Sequence, residues 1–225
     1  MTTGVEFIST LEAARALGVS VQQVRRLAAA GELTRVAHGV INRDSLDRHM
    51  AQRQGGRTRV WAPHTAWGAI AMLSGMQADW LSPTQASRIR AWLRGAADAA
   101  DLITQTRDRA SVKTYYGHPA AVGRLLDELV TTDEQGLGLV SPSPGAVDGY
   151  LAMNRLDDIV DFFGLRHDPG GNVTIRATTI GIRAVRDVNN HGVVLAALDA
   201  ATSTDPRRRG VGERALTVAL DRYRR

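Results

Sequence analysis

Apolar residues recur at the spacing of an α-helix in two short segments near the start of the chain. The first segment can be capped by Ser9 or Thr10, and its apolar positions are Leu11, Ala14 and Leu17. The second can be capped by Ser20, ends at Gly31, and carries on one face Val21, Val24, Leu27 and Ala28. Gly18 supplies the left-handed conformation of the turn between them, and Val19 fills the corner. This pattern predicts a helix-turn-helix.

A β-hairpin and a third helix are predicted directly after these two helices. Residues 34–41, TRVAHGVI, form two short strands around His38-Gly39, a pair suited to a two-residue turn. An amphipathic helix follows over residues 43–54, with Asp44 or Ser45 as its candidate cap. The order helix, turn, helix, hairpin, helix predicts a winged helix-turn-helix domain over residues 1–54.

The second helix of this motif has a polar face that suits duplex DNA. At 100° per residue, Gln22 and Arg26 lie nearly opposite Val24, and Gln23 and Arg25 flank them. Glutamine can pair with adenine and arginine with guanine, and either can hold a phosphate. In the hairpin, Arg35 and His38 are placed to contact phosphates or a minor groove. An ordinary helical hairpin with a solvated polar face is the alternative interpretation.

The rest of the chain predicts a second, larger domain at residues 60–225. Residues 52–59 are polar and contain glycine, which indicates a domain boundary. The predicted helices are 65–73, 82–95, 119–128, 151–163, 193–201 and 213–223, and the predicted strands are 111–118 and 172–178. Because helices and strands mix without a βαβ rhythm, the predicted class is α+β, with a mostly helical second domain.

The charge of the chain is concentrated in its first part. The net charge is +5, and residues 1–60 hold nine arginines against five acidic residues, whereas the remainder is close to neutral. An excess of arginine at one end is the electrostatic pattern expected of a surface that binds phosphates. Three consecutive arginines, Arg207 to Arg209, are interpreted as a solvated loop.

The sequence gives little support for a metal site, a cofactor site or a catalytic function. The chain has no cysteine, and no two of its six histidines stand three or four residues apart, so no metal site or cofactor is predicted. Gly136-Leu137-Gly138 and Gly210-Val211-Gly212 lack the spacing of a phosphate-binding loop. We expect no catalytic residue and no enzyme activity. We also expect no membrane association and a cytoplasmic location, because no apolar run approaches the roughly 18 residues that span a bilayer.

Several segments of the chain resemble AbiEi-type antitoxins, the regulators of type IV toxin–antitoxin pairs. The segment GELTRVAHGVI is similar to the wing of their first domain. Further similarity lies in WAPHTAWGAIAMLSG, SVKTYYGHPAAVGRLL, GNVTIRAT and ALDAATSTDPRRRGVGERAL. The resemblance implies a bacterial repressor that binds inverted repeats in its own promoter, as a homodimer or as two monomers. Its partner would be a nucleotidyltransferase toxin, which the second domain counteracts.

Carried over by position, the resemblance puts the DNA contacts on the predicted helix and wing: Ser20, Gln22, Gln23, Arg25, Arg26, Arg35 and His38. The helix after the wing is closer to that of excisionases, which leaves a stand-alone regulator open. Two alternatives remain. One is a second domain that senses a ligand or is an enzyme, with a polar pocket around Tyr115, Tyr116, His118 and Arg176. The other is an excisionase-like DNA-binding protein.

Overall fold

The computed structural model describes residues 7–53, 60–95, 98–139 and 145–225. The chain divides into two compact units, Met1–Gln54 and Gly55–Arg225. Both units contain helices and strands, so the predicted α+β class is confirmed. Most of the boundary predicted at 52–59 lies outside the described residues.

The first unit has the element order of a winged helix-turn-helix. A short strand that the sequence did not predict, β1 (Phe7–Ser9), comes first. The elements that follow it are α1 (Thr10–Leu17), α2 (Val21–Ala29), β2 (Arg35–Ala37), β3 (Val40–Asn42) and α3 (Arg43–Arg53). The three strands form an antiparallel sheet in the order β1-β3-β2. The predicted helices and hairpin are therefore confirmed.

Capping residues and a glycine determine where these helices begin and end. The Ser9 hydroxyl accepts from the Glu12 backbone N–H, and the Glu12 carboxylate accepts from the Ser9 N–H at 2.8 Å, which forms a capping box. Gly18 ends α1 in the left-handed region, with φ of 64°. The predicted cap of α3 is wrong, because the Asn42 side chain, one residue before the helix, accepts from the Ser45 N–H at 2.8 Å.

The core of the first unit lies between the helices and one face of the sheet. It contains Ala13, Ala14, Val24, Leu27, Leu33, Ile41 and Leu46. The prediction that Leu11 faces this core is wrong, since its side chain is 51% exposed. The core face of α1 is instead centred on Ala13 and Ala14, which lie 200° and 300° around the helix from Leu11.

The second unit combines a four-stranded mixed sheet with a set of helices. Its helices are α4 (Pro63–Leu73), α5 (Pro83–Arg94), α6 (Ala99–Thr106), α7 (Pro119–Leu125), α8 (Leu156–Phe162), α9 (Ile182–Asn190), α10 (Val194–Ala201) and α11 (Pro206–Arg224). Its strands are β4 (Ser111–Tyr116), β5 (Val147–Ala152), β6 (Arg166–His167) and β7 (Val173–Thr178). The order is β5-β7-β4-β6, with β5 parallel to β7 and the other pairs antiparallel.

Two predictions for the second unit are wrong in ways that matter for its core. Residues 151–163 are not one helix, because the strand β5 runs to Ala152 and only Leu156–Phe162 is α-helical. The arginines Arg207 to Arg209 are not in a loop but in the first turns of α11. Helices α6 and α9 were not predicted at all. In the described part of the chain, no helix is long and apolar enough to cross a membrane.

Helices α10 and α11 pack at a glycine. A Cβ atom placed on Gly212 would collide with the Ala201 backbone nitrogen and lie 2.5 Å from the Ala197 carbonyl oxygen. The missing side chain therefore lets the two helix backbones approach closely. The segment Gly210-Val211-Gly212 thus lies in α11, where it takes part in the contact with α10.

Candidate nucleic-acid interface

Helix α2 is fixed at its start by Ser20, one of the predicted contact residues. The exposed Ser20 hydroxyl accepts a hydrogen bond from the Gln23 backbone N–H at 3.2 Å, as an N-cap does. On the core side, Val24 is fully buried and Leu27 nearly so. These contacts set the rotation of the helix and therefore which side chains it exposes.

The polar face of α2 is open to solvent. Gln22, Arg25 and Arg26 are all exposed, whereas Gln23 is half-buried beside the cap. No ion pair engages Arg25 or Arg26 among the residues that the structure describes. Their guanidinium groups therefore keep their full hydrogen-bonding capacity for an external ligand.

The hairpin directs Arg35 toward the helices. Arg35 pairs with Ile41 across the β2–β3 ladder, and paired residues have side chains on the same face of a sheet. Since Ile41 is fully buried in the core, Arg35 extends along the core-facing side of the sheet. The register shifts by one residue between Arg35 and Ala37, which leaves Val36 as a bulge.

The tip of the hairpin is the predicted pair His38-Gly39, with His38 exposed. Gly39 is in the left-handed region, with φ of 79°, whereas His38 is not. The tip is therefore not the mirror-image turn in which both central residues have positive φ. The Gly39 carbonyl oxygen accepts from the Thr10 N–H at 2.8 Å, which ties the tip to the start of α1.

The structure brings three of the predicted contact residues together. Arg25 from α2, Arg35 from β2 and His38 from the tip line one pocket of about 160 Å³. The remaining lining residues are Thr10, Ala28, Gly39 and Ile41, so no acidic side chain belongs to the lining. Gln22, Gln23 and Arg26 are not among the lining residues and lie elsewhere along α2. We call the set of seven lining residues the helix–wing pocket.

Acidic side chains of the first unit are engaged by partners within it. Glu12 is held by Ser9, whose backbone N–H is the largest cause of the lowered pKa of this carboxyl. Asp47 pairs with Arg43 at 3.3 Å, and Glu32 lies 3.6 Å from the ring of the buried His49. Among the described side chains, these acids form no ion pair with the arginines of the pocket or of the α2 face. The positive charge of those arginines is therefore not neutralised by them.

Residues 4–40 match the family model described as "Transcriptional regulator, AbiEi antitoxin". This segment is AbiEi-like. The matched range runs from before β1 to the start of β3, so it includes helix α2, Arg35 and His38. No match to the chain is found among curated proteins or among solved structures.

The AbiEi match confirms the resemblance that the sequence suggested and indicates a transcriptional regulator or antitoxin. It covers all but the last residue, Ile41, of the wing segment on which that resemblance first rested. The similarity noted in the second unit lies outside the matched residues and stays a prediction.

The residues predicted to surround a polar pocket in the second unit have separate structural roles. Tyr115 is buried in the core beside β7, and the His118 ring accepts from the Ala120 N–H at 3.2 Å and so caps α7. Tyr116 stacks against the guanidinium of Arg166. Arg176 is buried and donates two hydrogen bonds to Asp148, at 2.7 and 2.8 Å.

Arg176 belongs to a buried charge network that the sequence did not predict. Arg109 donates to Asp199 at 2.6 Å, Arg176 lies 3.2 Å from the same carboxylate, and the Tyr150 hydroxyl donates to it at 2.7 Å. Burial opposes the charge of Arg176, but Asp148 and Asp199 outweigh burial and raise its pKa well above the ordinary value. A single aspartate in the apolar helix VLAALDAA was the available signal, since such a residue requires a partner. Within the described residues, no group of three acids or histidines could hold a metal ion.

Proposed function

We propose that this chain is a sequence-specific DNA-binding repressor that acts on its own promoter, as an AbiEi-type antitoxin. The observation that carries the proposal is the exposed polar face of α2 beside a wing whose arginine turns toward it. In winged helix-turn-helix proteins the second helix enters the major groove. Gln22 and Arg26 would then read base edges, while Arg25, Arg35 and His38 would contact the phosphate backbone.

The charge of the first unit supports the same role. Its described acids have partners inside the unit, and none of these described acids forms an ion pair with the arginines of α2 and β2. Phosphate contacts of this kind provide affinity and register, and base contacts provide specificity. Ser20 and Gln23 stand at the start of α2, the end of a recognition helix that approaches the bases.

The proposal extends to partners that the AbiEi family implies. The operator would be an inverted repeat bound by two copies of the chain, because repeated half-sites match a two-fold protein arrangement. The second unit would counteract a nucleotidyltransferase toxin without catalysis of its own, in the cytoplasm of a bacterium. A nucleotidyltransferase gene next to the gene of this chain supports that pairing, and its absence favours a stand-alone regulator.

Repression in a reporter assay tests the proposal. The upstream region of the gene drives the reporter, and the full chain is supplied from a second promoter. We expect the wild type to lower expression and a Gln22→Ala/Arg26→Ala variant to restore it at equal protein level. Arg155→Ala, which removes an exposed arginine of the second unit, is the matched control and should repress like the wild type. Unchanged expression with the wild-type chain would overturn the proposal.

A second candidate function is a regulator that responds to a small ligand, and one observation favours it. A pocket of about 300 Å³ lies at the carboxyl ends of the parallel strands β5 and β7, lined among others by Asp108, Ser111, Met153 and Thr179. Ligands of open sheets often bind at this edge. The two proposals are compatible, and repression that changes with a cell metabolite would add the second to the first.

A further inference from the structure

We propose that the helix–wing pocket binds one phosphate of the DNA backbone, with Arg25 and Arg35 both contacting that same phosphate. This inference rests on the proposed function and goes beyond it, since it assigns one ligand to one pocket and makes the two arginines a single unit. The pocket is separate from the base-reading residues Gln22 and Arg26, which do not line it.

The chemistry of the lining selects an anion. Arg25 and Arg35 carry permanent positive charge, and their planar guanidinium groups match phosphate oxygens with paired N–H donors. His38 and Thr10 add a ring N–H and a hydroxyl, so every polar side chain of the lining can donate a hydrogen bond. No acceptor-only side chain belongs to the lining, which disfavours a cation or an amine.

The architecture of the pocket fixes how the two arginines approach each other. Arg35 is held on the core-facing side of the hairpin by its pairing with Ile41, and the floor is made of Ala28, Gly39 and the buried Ile41. Ala28 and Gly39 are small, which leaves space between the helix and the wing. Arg25 and Arg35 therefore border the same solvent-open pocket.

The base of the hairpin is also anchored, which keeps Arg35 in place. The Thr34 N–H donates to the Ser45 hydroxyl at 3.0 Å, and that hydroxyl donates to the Asn42 carbonyl oxygen at 2.8 Å. The Asn42 N–H donates back to the Thr34 carbonyl oxygen at 2.9 Å. These bonds join the start of β2 to the start of α3. They therefore fix the position at which the two strands of the hairpin begin to pair.

Duplex DNA is the favoured source of the phosphate. The pocket lies between helix α2 and the wing, the two elements that would flank a bound DNA groove. A recognition helix inside the major groove has a sugar–phosphate strand along its side. Because Arg35 of the wing lines the same pocket as Arg25 of α2, both would meet that strand. A phosphate in the pocket would therefore set the register in which Gln22 and Arg26 meet the bases.

The salt dependence of DNA binding tests this pocket. We would measure the affinity of the full chain for a labelled upstream duplex by fluorescence anisotropy, between about 50 and about 200 mM salt. Removal of one bound phosphate should reduce the slope of log affinity against log salt by about 0.9. We expect Arg25→Ala or Arg35→Ala alone to lower the affinity with the slope nearly unchanged, because the remaining arginine still neutralises the phosphate, and the double variant to reduce the slope by about 0.9 rather than about 1.8.

Additional variants keep the result interpretable. Arg25→Lys and Arg35→Lys keep the charge but remove the paired donors, so the slope should stay while the affinity falls. Arg155→Ala should change neither. Single variants that each reduce the slope by about 0.9 and a double variant that reduces it by about 1.8, or a double variant with an unchanged slope, would overturn the pocket proposal.

Failure of the proposed function would be visible separately. If the wild type binds the upstream duplex no more tightly than a scrambled duplex, specific repression is contradicted. The same salt series on the scrambled duplex still tests the pocket, because contacts with the backbone do not depend on sequence. Absence of binding to either duplex at the lowest salt would overturn both proposals.

Discussion

The Arg109 side chain donates a hydrogen bond from Nη2 to Oδ1 of Asp199 across 2.6 Å, in the interior of the second unit and between residues 90 positions apart. Asp199 is shared, since Arg176 and the Tyr150 hydroxyl contact the same oxygen at 3.2 and 2.7 Å. One carboxylate thus joins the segment before β4, strands β5 and β7 and helix α10. Its removal would leave two buried guanidinium groups without their shared partner.

We therefore expect Asp199→Ala to lower the free energy of unfolding of the second unit by about 3–5 kcal/mol. The four tryptophans all lie between residues 61 and 92, so tryptophan fluorescence during urea denaturation reports this unit. Asp221→Ala is the matched control, because it breaks an exposed pair with Arg224 and should cost about 0–1 kcal/mol. Equal effects of the two variants would contradict a structural role for the network.

The packing of α10 against α11 gives a second prediction. Gly212→Ala would place a methyl group 2.5 Å from the Ala197 carbonyl oxygen, so we expect the stability of the second unit to fall by about 1–3 kcal/mol or more. Gly210→Ala lies on the same helix, where the nearest atom is the end of the Arg214 side chain at 3.4 Å. That variant should be neutral or gain up to about 1 kcal/mol. The same urea titration measures both, and a stable Gly212→Ala protein would argue against close backbone packing.

The cap of α2 can be separated from any DNA contact of Ser20. We expect Ser20→Ala to lower the stability of the first unit by about 1 kcal/mol. Ser20→Asp should keep the cap, because its carboxylate accepts from the Gln23 N–H, yet weaken DNA binding by repulsion of phosphate. The first unit has neither tryptophan nor tyrosine, so far-ultraviolet circular dichroism is the measurement of its unfolding. Undiminished DNA binding by Ser20→Asp would place this residue away from the backbone.

The base-reading role of α2 predicts a change in specificity rather than in affinity alone. Gln22→Ala and Arg26→Ala should each relax discrimination at one base position by about 1–3 kcal/mol, measured over duplexes with single substitutions. Arg35→Ala should instead weaken binding to all duplexes by a similar factor. Uniform weakening by Gln22→Ala and Arg26→Ala would assign both residues to the backbone.

Local signals made much of the first unit predictable. The signals that define α2 and its exposed face all lie within a few residues of one another. They are the cap Ser20, the turn residue Gly18 and the helical spacing of Val24 and Leu27. Strand β1 was missed because it gains its stability from a distant partner, Phe7 opposite Asn42 in β3. Leu11 was assigned to the core because a single helical period cannot tell which of two adjacent apolar faces a helix buries.

Long-range pairing limited the prediction in the rest of the chain. Strand β5 was predicted in part as helix because Tyr150 and Leu151 are buried on opposite faces of the sheet, which removes the alternation that marks a strand. The helix–wing pocket was not predictable either. Arg25, Arg35 and His38 were each identified, but their convergence depends on the pairing of Arg35 with Ile41.

We propose above all that the first unit recognises a specific DNA sequence. The most direct measurement is the affinity of the full chain for the upstream duplex of its own gene against a scrambled duplex of equal length and composition, at one physiological salt concentration. We expect binding to the upstream duplex to be about 10³-fold or more tighter. Equal affinity for the two duplexes would contradict it.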